Sequence, residues 1–99
     1  MSTDTFDPAR AYALAPTVSI RPEPFGALVY DFVTRRLSFL KTPELVTVVR
    51  ELAGQPTAVA ALAAAGVPAE QHPGYLRALA SLCQAGTIRP RETDGDGQE

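Results

Sequence analysis

His72 and Cys83 are the single imidazole and the single thiol of this 99-residue chain. A thiol and an imidazole within about 3 Å make an activated nucleophile. Here both fall in one helical pattern eleven residues apart, which is about 16 Å of helix rise. They cannot meet. Cys83 lies on the apolar side of that pattern, as an inert packed thiol does. His72 precedes Pro73, a cap or turn position. Asp31 beside Tyr30 offers an acid and a phenol. In an alternating strand, however, Asp31 falls on the face opposite Tyr30 and reads as a solvated charge. No glycine-rich phosphate loop, nucleophile elbow or metal-ligand cluster occurs. One Cys and one His make neither a structural zinc site nor an internal disulfide. The sequence therefore predicts a protein without catalytic groups, metal or cofactor.

The elements that carry these residues divide into two halves. The first half reads as β. Thr17 to Arg21 is a short strand, with Val18 and Ile20 on one face. Pro22 and Pro24 bracket a loop, because proline cannot donate to a ladder. Phe25 to Phe32 alternates, with Leu28, Tyr30 and Phe32 on one face and Val29 and Asp31 on the other. Thr34, Arg35 and Arg36 make a turn without Gly or Asn, whose type stays open. Leu37 to Leu40 is the next arm, with Leu37 and Phe39 on one face.

The second half reads as α. Thr42 and Pro43 give a hydroxyl cap followed by proline at the first helical position. Leu45, Val48, Val49 and Leu52 follow at one-face spacing, and Gly54 stops the helix. Pro56 and Thr57 start a second helix with a Val59, Leu62, Ala63 stripe, ended by Gly66. His72 and Pro73 open a third, with Tyr75, Leu76, Leu79, Leu82 and Cys83 as its apolar face and Gly86 as its stop. Thr87 to Arg89 is an extended stub placed to pair back on the sheet. The expected fold class is α+β: a winged helix-turn-helix-like, three-stranded antiparallel sheet packed on three short helices.

Length and composition fit one small globular domain, 45% hydrophobic and 20% charged. No apolar run approaches the roughly 20 residues of a membrane span. The N-terminus is acidic where a secretory signal would be basic and then apolar, so the cytoplasm is the expected compartment. Residues 1–5 read as a flexible N-terminus, 6–89 as the domain and 90–99 as a disordered acidic tail. Truncation after Pro90 is accordingly expected to be harmless. The full chain carries net charge −2. Residues 6–90 hold six acids and eight bases, so the acidity sits at the ends.

Two binding functions fit such a domain. A winged helix would put its third helix in DNA, as a small transcriptional regulator does. The outward residues of that helix are Arg77, Ser81 and Gln84, a single positive charge where duplex binding leans on clustered Lys and Arg. The alternative is a peptide added at the edge of the Arg36–Lys41 arm, whose basic flanks also guard an edge strand from aggregation.

The segment IRPEPFGALVY from Ile20 to Tyr30, followed by TRRLSFL from Thr34 to Leu40, resembles the mycofactocin-system peptide chaperones. Leu45 to Gly54, Pro56-Thr57 and Tyr75 to Leu82 are also similar to the broader pyrroloquinoline-quinone peptide-chaperone family. The resemblance spans about residues 6–89. Where the broader family often has a turn glycine, this chain has Val33 and Thr34. The resemblance implies a recognition element for a ribosomally made precursor peptide, itself performing no chemistry. It implies that the peptide adds to the third strand against the third helix and is passed to a radical S-adenosylmethionine maturase. On this chain the implied strand partners are Arg36, Leu37, Ser38, Phe39 and Leu40, with Arg35 flanking. The opposite wall would come from Tyr75, Leu79 and Leu82, with Arg77 on the rim. The expected partners are the precursor peptide and the maturase, with no nucleic acid, no membrane, and a monomeric chaperone.

Overall fold

The computed structural model describes residues 6–91. It has strands β1 (Tyr12–Leu14), β2 (Val18–Glu23), β3 (Gly26–Asp31) and β4 (Arg36–Leu40). Helices α1 (Pro43–Glu51), α2 (Ala58–Ala64) and α3 (His72–Gln84) follow, then strand β5 (Ile88–Pro90). β2, β3 and β4 form an antiparallel sheet in that order. The expected α+β architecture of a three-stranded sheet on three helices is what forms.

β2 runs through Pro22, which the sequence placed in a loop. Pro22 sits opposite Ala27 on an outer strand. The N–H of Phe32 donates to Thr17 O at 3.0 Å. Alternation then gives Gly26, Leu28 and Tyr30 the bonds to β2, and leaves Pro22 where an N–H would point away from the sheet. Gly26 is required for a steric reason: a Cβ there would run into Leu40 O, so β4 could not approach.

The β3–β4 turn is built by Asp31. Its Oδ1 accepts from Thr17 Oγ1 at 2.9 Å, Val33 N at 2.9 Å and Thr34 N at 3.2 Å. Arg35 closes the turn at φ 66, donating its N–H to Asp31 O at 2.7 Å. Asp31 is thus buried, at 5% exposure, and not the solvated charge expected. Burial pushes its pKa up, while the Thr34 and Val33 amides and the Thr17 and Thr34 hydroxyls pull it down; the net effect is a carboxyl below its ordinary value of 3.8.

The helices start where their caps are. Thr42 Oγ1 accepts from Leu45 N at 3.1 Å and Thr57 Oγ1 from Ala60 N at 2.9 Å. Leu45, Val48, Val49 and Leu52 are buried as the spacing predicts. On α2 the stripe is Ala58, Ala61 and Leu62, while Val59 is exposed. In an Ala-rich segment apolar on every side, periodicity does not choose a face. Instead the N–H groups of Ala58 and Val59 bond Arg10 O and Pro8 O, and this docking orients the helix. Gly66 and Gly86, both at φ 82, follow the ends of α2 and α3.

The sequence reading missed β1. The stub pairs with it in a separate two-stranded sheet, not with the main one. Three residues carry too little alternation to read. Tyr12 nevertheless supplies one of the largest buried side chains, stacked 4.8 Å from Phe6. Arg91 extends this pairing: its N–H bonds Ala11 O, and its guanidinium donates to the carbonyls of Tyr12, Leu52 and Gln55. Pro90, in β5, and the anchored Arg91 are therefore part of the described fold, although both fall within the expected tail. Residues 1–5 and 92–99, the rest of the ends expected to be flexible, lie outside the described residues.

The core lies between the inner sheet face (Ala27, Val29, Leu40) and Val48, Leu52, Leu62 and Leu79, closed by Tyr12 and Ile88.

Candidate functional site

β4 follows β3 in the strand order and has no further neighbour among the described residues. Residues 28, 30 and 32 turn their backbone groups to β2, so 27, 29 and 31 turn theirs to β4. Their partners there are Leu40, Ser38 and Arg36. The N–H and C=O of Leu37 and Phe39 therefore aim away from the sheet, an unfilled ladder edge.

Across from this edge runs α3. Between them lies an open groove of about 720 Å³. Ser38, Phe39, Lys41, Thr42 and Leu45 form one wall; Gly74, Tyr75, Ala78, Ser81, Leu82 and Ala85 form the other; Glu70 and Gln71 close an end. Gly74, Ala78, Ser81 and Ala85 recur at one-face spacing and are all small, so the helix surface recedes and leaves room. The groove is mixed in character: hydroxyls at Ser38, Thr42 and Ser81, apolar surface between, and Lys41 with Glu70 as its charges.

The structure brings together Ser38, Phe39, Tyr75 and Leu82 of the residues expected from the sequence. Leu37 is on the same edge, and alternation puts its side chain, like that of Phe39, on the face turned away from the core, where both are exposed. Leu40 and Leu79 are fully buried in the core, so neither side chain reaches the groove. Arg35 and Arg36 stand exposed at the hairpin tip. Arg77 is outside the lining, although its Nη2 lies 3.9 Å from where a Gly74 Cβ would sit. Lys41, the basic flank of the expected edge, also lines the groove, whereas Thr42, Leu45 and the small stripe of α3 are not legible as site residues in the sequence. A search for apolar periodicity passes over Gly, Ala and Ser, and Thr42 was spoken for as a cap.

The chemistry is that of binding. The Nε2–H of His72 is engaged with Val67 O at 3.0 Å. The carboxylate of Asp31 is occupied in its turn. Among the described residues no group of His, Cys, Asp and Glu could hold a metal ion.

Fold and groove together define a small winged-helix-like binding module. Comparison with known proteins supplies the family. The Peptide chaperone MftB family matches residues 11–89. Peptide chaperone MftB of Mycolicibacterium smegmatis is 50% identical over 91 residues, covering 92% of this chain and 89% of its own. Those of Mycobacterium ulcerans and Mycobacterium tuberculosis are 48% and 47% identical, covering 90% and 89% of this chain and 82% and 81% of theirs. No solved structure matches. The chain belongs to the peptide chaperone MftB family, the one its residues resemble, and its role is that of a non-catalytic chaperone.

Proposed function

We propose that this protein binds the precursor peptide of mycofactocin biosynthesis as an added strand on β4 and presents it to a radical S-adenosylmethionine maturase, acting as a cytoplasmic monomer. The observation that carries the binding mode is the outward N–H and C=O of Leu37 and Phe39 at the rim of the groove facing α3. An extended peptide satisfies those groups and drops alternate side chains into the groove. Each new backbone bond contributes about 0.5–1.5 kcal/mol net. With a few buried side chains, these bonds must offset about 2–5 kcal/mol of peptide ordering. The result is a Kd on the order of micromolar.

Proline scanning tests this. Phe39→Pro removes a donor that points at the peptide and should weaken binding tenfold or more in a folded domain. Phe39→Ala controls for the lost ring. Ser38→Pro removes a donor engaged with β3 and should unfold the hairpin instead, while Ser38→Ala should be nearly silent. A folded Phe39→Pro protein binding like Phe39→Ala removes this edge as the site.

A further inference from the structure

The structure turns the sheet inside out relative to the sequence expectation. The smaller set, Ala27, Val29 and Leu40, faces the core, and the bulkier set faces away. Phe25, Tyr30, Phe32, Leu37 and Phe39 are 38–57% exposed, with half-buried Leu28 between them. Phe25 and Phe39 contact edge to face at 6.3 Å, and Leu28–Phe39 and Tyr30–Leu37 are cross-strand neighbours. Exposed apolar residues scattered singly need no explanation; one continuous sheet face does.

The rim of this face is basic. Alternation puts Arg21 on it, and Arg35 stands at the hairpin tip. The carboxylate on it among the described residues is Glu23, held 3.6 Å from Arg21. Self-pairing about a two-fold axis would set basic rim against basic rim. The face is also continuous with the peptide edge. A strand added to β4 leaves every other side chain here, next to Leu37 and Phe39, so a partner seated on the face touches protein and peptide together.

We infer that the outer face of the β2–β3–β4 sheet docks the enzyme that modifies the peptide, through an enzyme surface apolar at its centre and acidic at its rim. This rests on the strand-addition reading above. A composite surface of this kind favours the loaded protein over the empty one, because the peptide supplies part of the contact.

The test uses two variants that leave the peptide edge intact: Tyr30→Thr with Phe32→Thr, and Arg21→Glu at a side chain 79% exposed. Each is titrated first with synthetic precursor peptide, then, loaded, with a purified radical S-adenosylmethionine maturase of mycofactocin biosynthesis. Peptide affinity should stay within about twofold of the parent. Enzyme affinity should fall at least tenfold for the double variant and severalfold for Arg21→Glu, the latter with a weaker salt dependence. Enzyme affinity unchanged in both variants overturns the inference. So does sedimentation showing a parent dimer that the same substitutions dissolve, which would make a second copy the occupant. Failure of the strand-addition reading appears separately, in the first titration, as a parent that binds no peptide.

Discussion

Single residues decide local geometry that composition does not display. Asp31 reads as a surface charge, yet it gathers two amides and a hydroxyl and sets the turn that fixes the position of β4. Its pKa is lowered in the fold. The stabilisation it supplies is therefore complete above the unfolded value near 3.8 and lost as pH falls through the lower folded value. Thermal melts of the parent should drop on acidification in that window. Asp31→Ala should melt lower at neutral pH and show less of the acid-dependent drop; equal pH profiles would contradict the assignment. Arg91 is a second such residue. Ending the chain after Pro90 deletes its three carbonyl contacts and should cost about 1–3 kcal/mol, whereas ending it after Arg91 should not. Paired truncations compared by denaturant midpoint distinguish the two.

Elements explain which parts of the site are legible. α1 and α3 carry a cap or an N-terminal proline and a stripe of large apolar residues, so their faces can be read directly. The β-sheet cannot be read in this way, because both faces of β3 are apolar. Burying the bulkier residues is the natural choice, yet Gly26 and Ala27 are what lets neighbouring backbone and the helical layer come close. The groove is hidden for a related reason: its helical wall is marked by small residues, and smallness has no hydrophobic signal. Two substitutions on α3 follow. Gly74→Ala meets nothing nearer than an ordinary 3.9 Å contact with Arg77 and should stabilise the helix by up to about 1 kcal/mol. Ser81→Trp points bulk into the groove from an exposed position and should reduce peptide affinity at least tenfold with the melting temperature nearly unchanged. Tight peptide binding by Ser81→Trp would place the peptide elsewhere.

At the scale of the whole molecule, charge and topology divide the surface by task. The folded part is basic near the hairpin, through Arg35, Arg36 and Lys41, although the chain as a whole is acidic. That arrangement would speed encounter with a peptide carrying acids beside its apolar anchors. Reversing Arg35 and Arg36 to Glu should lower the association rate and flatten its salt dependence; identical on-rates would remove the steering role. The central claim is that β4 is a strand waiting for a neighbour, and amide hydrogen exchange examines it bond by bond. In the unliganded protein the Ser38 N–H, turned to β3, should exchange slowly, and those of Leu37 and Phe39, turned outward, should exchange fast. Saturation with precursor peptide should slow Leu37 and Phe39 by an order of magnitude or more and leave Ser38 as it was. Saturated protein in which Leu37 and Phe39 still exchange at their unliganded rates would contradict strand addition outright.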